Sequence, residues 1–257
     1  MPYEYATEDQ DYSDYSGGRV IYSQPGAPAF PVRLASEIFQ RAQAHLGTDR
    51  RLRLYDPCCG GAYHLCAVGF LHGASIASIL ASDIDENVLA LARRNLGLLT
   101  QGGLLKRQQE LNDLYRQYSK ESHALALGSA SRLLESLHRL PGQEIPSRIF
   151  QANALDGAAL RNELSGEAID LVISDIPYGW MTGWQGTGAN VLTPAVRTPG
   201  AQTPAAQLLA ALHPLLPEGA LAAIAADKSQ KVAHEGFRRV ERFQVGRRQI
   251  IFLQPVH

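Results

Sequence analysis

The sequence predicts an α/β fold built on an open, seven-stranded, mostly parallel sheet. Three observations carry that expectation. From Arg51 onward, short apolar runs alternate with segments of helical periodicity, the rhythm that lays strands side by side in parallel. Several of these runs end in a carboxylate and a turn, at Asp56, Asp83 and Asp175. Near the end of the sequence, Val240–Val245 and Arg248–Leu253 flank Gly246-Arg247, the pattern of an antiparallel pair.

Residues 1–30 are acidic and tyrosine-rich, then Pro/Gly-rich, which predicts an arm that is mobile or hugs the surface, with Tyr22 and Phe30 as anchors. Residues 31–257 are read as the folded domain. Leu34, Ile38 and Ala42 recur at helical spacing, so a helix over Val32–Leu46 precedes the first strand. Arg51–Tyr55 alternates and runs into Asp56-Pro57-Cys58-Cys59-Gly60-Gly61, followed by an apolar helix over Leu65–Leu71. Ser75–Ser82 is a second buried strand, and Glu86–Leu99 its helix, with Val88, Leu91, Ala92 and Leu96 on one face.

Gly102-Gly103 interrupts the pattern. Leu104–Leu140 is then helical sequence, too long for an ordinary connection, and marks residues 101–141 as a helical insertion between strands 2 and 3. Its bases alternate with acids, which suits a solvated face or an RNA-docking surface. Arg148–Gln151 is a short third strand, Asp156–Leu164 a helix and Ala168–Ser174 the fourth strand. Thr203-Pro204 starts a helix, the hydroxyl capping and the proline fitting the first turn. Leu221–Ala226 is the fifth strand.

Composition bounds the function. Formal charge is -1, but residues 1–18 hold five acids and no base. The remainder carries 24 bases against 20 acids, which permits nucleic-acid binding without demanding it. Arg outnumbers Lys 20 to 4; guanidinium suits phosphate and base edges, and a GC-rich genome has the same effect. Cys58, Cys59 and Cys66 form no disulfide framework, and a zinc set of Cys59, His64, Cys66 and His72 lacks paired spacing, so no metal is expected. No run of about 18 apolar residues is present and the start is unlike a signal peptide, so a soluble cytoplasmic protein is expected, with no membrane partner.

Candidate contacts fall at successive strand ends. Glycines in the first turn let backbone approach a ligand, but the G-x-G-x-x-G dinucleotide fingerprint is missing, which disfavours a nicotinamide dehydrogenase. Asp83 follows Gly60 by 23 residues, where an acid commonly holds both hydroxyls of a ribose. Asn153 offers an amide to an adenine edge. Asp175-Ile176-Pro177-Tyr178-Gly179 joins a carboxylate, a kink and an aromatic face at the end of the fourth strand, a combination that suits a flat polar ring. Asp175 and the carbonyl of Ile176 can accept hydrogen bonds from a nucleobase amino group, while Tyr178 supplies a stacking face worth about 1–3 kcal/mol. Trp180 or Trp184 adds a second face or pins the loop. The Gly183–Pro199 loop, with Arg197, suits a lid over an unpaired or flipped base, or a plain connection.

These residues resemble the class I S-adenosyl-L-methionine-dependent RNA methyltransferases, with a Rossmann-like fold, over roughly residues 51–253 apart from the insertion. Asp56 to Gly61 is similar to the family's first motif, D-P-x-C-G-x-G, except that Ala62 stands where its last glycine falls. The resemblance implies a cofactor site from Asp56, Cys58, Gly60, Gly61, Asp83, Ile84, Asn153 and Ala154. It implies Asp175, Ile176, Pro177 and Tyr178 as the catalytic D/N-P-P-Y-like motif, with Ile176 replacing its first proline and regaining an N–H for a base carbonyl or for solvent. Tyr178, Trp180, Trp184 and Arg197 are then the substrate contacts. The run Ser174 to Trp184 narrows the resemblance to the avilamycin-resistance methyltransferases, which implies a guanine of 23S ribosomal RNA as acceptor and resistance to orthosomycin antibiotics. Two alternatives remain open from the residues alone: another planar amino group on DNA, protein glutamine or a small molecule, and a catalytically idle RNA-binding module.

Overall fold

The computed structural model describes residues 3–8, 10–23, 30–139, 144–177 and 202–257. Among them the element order is α1 (Val32–Leu46), β1 (Leu52–Asp56), α2 (Tyr63–His72), β2 (Ile76–Asp83), α3 (Glu86–Gly97), α4 (Gln101–Tyr118), α5 (Glu121–Arg139), β3 (Ser147–Gln151), α6 (Gly157–Glu163), β4 (Leu171–Asp175), α7 (Pro204–Leu212), β5 (Leu221–Asp227), β6 (Phe237–Val245) and β7 (Arg248–Pro255). The seven strands form one sheet in the order β3-β2-β1-β4-β5-β7-β6. β1 to β5 are parallel, while β7 inserts antiparallel between β5 and β6. The expected sheet and its closing hairpin are both present.

Alternation along each strand splits the core in two. Leu52 and Leu54 of β1 and Ile173 of β4 pack with α1, α2, α3 and the α4–α5 insertion. Tyr55 and Val172, one residue out of phase, pack with α6 and α7 on the other face. Strand order reverses between β1 and its neighbours β2 and β4, which opens a crevice at their carboxyl ends.

Local chemistry sets the helix ends. Asp85, Thr100, Asp156 and Thr203 each accept a first-turn N–H, capping α3, α4, α6 and α7. Gly47 ends α1 in the left-handed region, at φ 56°. Gly102-Gly103 does not interrupt the helical pattern but lies in the first turn of α4. The reason is tertiary: a Cβ on Gly103 would lie 2.0 Å from the carbonyl oxygen of Gly97, so only glycine lets α4 start so close to the end of α3. The fourth strand begins three residues later than expected. Asp170 lies just before it, and its buried carboxylate accepts from the Arg53 N–H at 2.8 Å and pairs with the Arg50 and Arg53 guanidinium groups. Burial alone would raise that carboxyl, but these donors hold it well below the usual range.

Residues 3–8 and 10–23 run along the surface. Glu37, buried on α1, accepts N–H bonds from Glu4, Tyr5 and Ala6 and pairs with Arg41 at 2.7 Å. Arg107 of α4 donates to the carbonyls of Arg19 and Val20, and Arg132 of α5 pairs with Asp14. The Arg94 and Arg107 guanidinium groups both lie over the Tyr22 ring, at 3.7 and 4.1 Å from its centre, and Phe30 is buried. Both expected anchors therefore hold the segment down. No helix of the described residues is long and apolar enough to cross a membrane.

Candidate active site

The carboxyl ends of β1, β2, β3 and β4 deliver Asp56, Asp83, the Ala152–Asn153 turn and Asp175 to one edge of the sheet. After β1 the chain makes a tight turn. Asp56 Oδ1 accepts from the Cys58 N–H at 3.0 Å, and Asp83 Oδ2 from the Gly60 N–H at 2.9 Å. Gly60 needs its freedom here, with φ at +51°. Ala62 also lies in the left-handed region, at φ 53° and ψ 30°. The turn thus keeps a path that favours glycine, at a cost of about 1–2 kcal/mol for the alanine. Gly61 is packed under α3: an added Cβ would come within 2.8 Å of Leu91, and its carbonyl accepts from Asn95 Nδ2 at 2.7 Å.

Asp83 is largely buried, which raises its carboxyl above the ordinary value; the N–H groups of Asp85 and Gly60 oppose that shift without cancelling it. Ile84 follows it, its carbonyl accepting from Gln151 Nε2 at 2.9 Å. Asn153 uses Oδ1 to accept from the Leu155 N–H at 3.0 Å, a turn that directs its acceptor into its own loop. The Nδ2 donors are the part of that amide suited to a ligand. Ala154 is buried beside it. The Cys58 and Cys59 thiols are pushed well above their ordinary value, first by burial and then by the Asp56 and Asp83 carboxylates. They are neutral packing groups rather than nucleophiles.

Asp175 is the last residue of β4, and Arg248 Nε of β7 lies 4.0 Å from its Oδ1. The Ile176 N–H donates to the carbonyl of Ala225 at 3.0 Å, extending the β4–β5 ladder by one bond, and the side chain is buried. The expectation that this N–H meets a base carbonyl or solvent is corrected: losing the proline gives the sheet another rung. The Pro177 carbonyl accepts from Gln230 Nε2 at 2.9 Å. Gln230 is in turn tied to the Asp227 N–H through its Oε1. Tyr178, Trp180, Trp184 and Arg197, with the loop proposed as a lid, lie outside the described residues.

Four side chains of this region escaped the sequence reading. Gln230, Asn95 and Arg248 reach the site from elements far away in the chain, and no local pattern marks them. In the sequence His64 suits only a zinc set; its place two residues after Ala62, just past the Gly60-Gly61 turn, is the one local signal of a role there. It lies 3.0 Å from Asp56 Oδ2. Together the edge presents backbone N–H groups, glycine-lined space and three carboxylates, a donor set that fits a cationic ligand carrying hydroxyls.

Comparison with known proteins narrows that chemistry. Residues 1–248 match the family model described as rRNA methyltransferase AviRa. The chain is 40% identical over 252 residues to a 23S rRNA (guanine(2535)-N(1))-methyltransferase of Streptomyces viridochromogenes, covering 98% of this chain and 95% of that protein. The crystal structure of rRNA methyltransferase aviRa from Streptomyces viridochromogenes superposes with a TM-score of 0.85 at 39% identity, over 98% of this chain and 96% of that one. A Listeria monocytogenes protein described as a candidate class I S-adenosylmethionine-dependent methyltransferase shares the fold alone, with a TM-score of 0.53 at 11% identity over 92% of this chain and 63% of that one.

Proposed function

Because this chain belongs to the AviRa family of rRNA methyltransferases, we propose that it methylates N1 of a guanine in 23S ribosomal RNA and thereby confers resistance to orthosomycin antibiotics of the avilamycin type. The observation that carries the reading is the placement of the Gly60 turn at the end of β1, between Asp83 at the end of β2 and Asp175 at the end of β4. A donor site and an acceptor clamp then share one crevice. We read residues 31–257 as the methyltransferase domain, residues 1–30 as its arm, and the cytoplasm as its place of action.

S-adenosyl-L-methionine fits the donor set described above, and when bound it supplies a sulfonium methyl group open to in-line displacement. Asp83 would hold the ribose hydroxyls and Asn153 Nδ2 the adenine, with Ile84, Ala154 and the Asp56 to Gly61 turn completing the site. The three carboxylates give that cation a complementary field.

Guanine N1 is a lactam nitrogen whose in-plane lone pair is available only as its proton leaves. An exocyclic amino group keeps a second proton after attack, whereas N1 does not, so a proton acceptor is necessary here. Asp175 is that acceptor, taking the N1 proton as the ring nitrogen attacks; the Ile176 carbonyl receives a hydrogen bond from the adjacent amino group, and Tyr178 stacks on the ring. Alignment at near-attack distance supplies much of the remaining rate. The Pro177–Gln230 hydrogen bond holds the motif against the β5–β6 connection, which reduces the freedom of the clamp. Trp180, Trp184 and Arg197 are assigned to the same base or its flanking phosphates. The test is transfer of labelled methyl from S-adenosyl-L-methionine to 23S RNA. Asp175→Ala is expected to lower the rate at least about 100-fold with cofactor affinity kept; a fully active variant rejects Asp175 as the proton acceptor.

A further inference from the structure

Resting on that reading of the site, we propose that Asn95 is a positioning residue that couples the docked N-terminal arm to the methyl-donor turn, so that each stabilises the other. Asn95 lies near the end of α3 and is fully buried. Its side-chain amide pairs with the arm as a strand would. Oδ1 accepts from the Tyr22 N–H at 2.8 Å, and Nδ2 donates to the Tyr22 carbonyl at 3.0 Å. The same Nδ2 donates to the carbonyl of Gly61 at 2.7 Å. These partners fix the orientation of the amide, because turning it over would set its oxygen against two carbonyls. In a site closed to solvent, losing any of the three bonds leaves a polar group without a partner.

The turn has little slack on that side. A Cβ on Gly61 would come within 2.8 Å of Leu91 and 3.9 Å of Asn95 Nδ2, so this part of the turn lies directly on α3. The Ala62 N–H, in the same rigid peptide plane as the Gly61 carbonyl, donates to the Cys59 carbonyl at 2.7 Å. Holding the Gly61 carbonyl therefore holds the path of the turn that faces the cofactor site. The arm is gripped on its other side too. Val20 and Ile21 are fully buried, Arg107 donates to the Arg19 and Val20 carbonyls, and the Tyr22 hydroxyl donates to Glu110 at 2.7 Å. One amide thus serves two ordered segments. Displacing the arm removes two of its three bonds and frees it to turn away from Gly61; shifting the turn loosens its hold on the arm. Such coupling is reciprocal: the factor that arm docking adds to cofactor affinity, the cofactor adds to arm docking.

The experiment combines calorimetric binding of S-adenosyl-L-methionine with amide hydrogen exchange, on the full chain as wild type, Tyr22→Ala and Asn95→Asp. Tyr22→Ala removes the ring under Arg94 and Arg107 and the bond to Glu110, which loosens the arm and leaves Asn95 itself unaltered. Asn95→Asp keeps an acceptor for the Tyr22 N–H and loses both donated bonds. Cofactor Kd is expected to rise about 3-fold or more in the first and about 10-fold or more in the second. In wild type the cofactor is expected to slow exchange at residues 19–22 by about 3-fold or more beyond its effect on β6, at the far edge of the sheet. A merely structural asparagine would lower thermal stability and move neither readout. Wild-type affinity in either variant overturns the coupling, and so does arm exchange in wild type that only tracks β6. The exchange result and Tyr22→Ala decide the matter even if Asn95→Asp does not fold. If wild type itself binds no S-adenosyl-L-methionine, it is the functional reading that fails, before any residue is altered.

Discussion

His72 makes stability fall in mild acid, and the size of the fall can be worked out. It ends α2 with Nε2 2.9 Å from the Ser36 hydroxyl and its ring stacked 4.9 Å from that of Phe39. Burial pushes its pKa down to about 4 from an ordinary 6.5. At neutral pH the ring is uncharged in both native and unfolded chains. As pH drops below about 6.5 the unfolded chain takes up a proton that the native one refuses, so stability is lost down to the native pKa. Each pH unit in that window costs about 1.36 kcal/mol, or about 3 kcal/mol over the full window, reduced to about 2 by the ring's residual solvent contact. His64, held above its ordinary value, acts on the other side: its contribution is complete below about 6.5 and disappears as pH rises through its native pKa. The assay is urea unfolding of wild type and His72→Gln at about pH 7.5 and about pH 4.5. Glutamine keeps an acceptor for Ser36 and cannot titrate. Wild type is expected to lose about 2 kcal/mol more than the variant between the two conditions. Equal losses would refute the assignment, since the carboxylates that also titrate are common to both proteins.

Asp83→Ala removes the acceptor of the Gly60 N–H together with the proposed ribose contact; cofactor affinity by calorimetry is expected to fall about 10- to 100-fold, and an unchanged Kd would move the ribose elsewhere. Ala62→Gly relieves about 1–2 kcal/mol of left-handed strain but gives up a buried methyl and backbone entropy of similar size, so its Tm should stay within about 3 °C of wild type. Gly103→Ala forces a Cβ against the Gly97 carbonyl at 2.0 Å and should cost about 3 kcal/mol, a Tm drop of roughly 6–12 °C by calorimetry; a drop below about 2 °C would mean α4 can shift freely.

Local signals made most of the architecture legible. The apolar stripe of α1 and its Gly47 stop define Val32–Leu46 without tertiary help, and Thr203-Pro204 marks the start of α7. Strand ends carrying Asp56, Asp83 and Asp175 are visible because each acid closes an apolar run. Other features depend on partners distant in the chain. Gly102-Gly103 looks like a break until the close approach of α3 is known. The Ile176 N–H acquires its meaning from Ala225, and the Pro177 carbonyl from Gln230, 53 residues later. His64 resembles a stray metal ligand until its Nε2 is seen 3.0 Å from Asp56 Oδ2. The acids of residues 1–18 look like a solvated run, yet Asp14 pairs with Arg132 and the N–H groups of Glu4, Tyr5 and Ala6 dock on Glu37. Sequence periodicity reports which face is apolar; it does not report which polar group across the fold completes a hydrogen bond.

The most direct test maps modified nucleosides in 23S ribosomal RNA by mass spectrometry, from otherwise identical cells carrying wild-type protein, the Asp175→Ala variant, or neither. Wild type is expected to add one N1-methylated guanosine that both other samples lack. A 23S profile identical in all three, from cells in which the wild-type protein is folded and binds S-adenosyl-L-methionine, would contradict the proposed substrate.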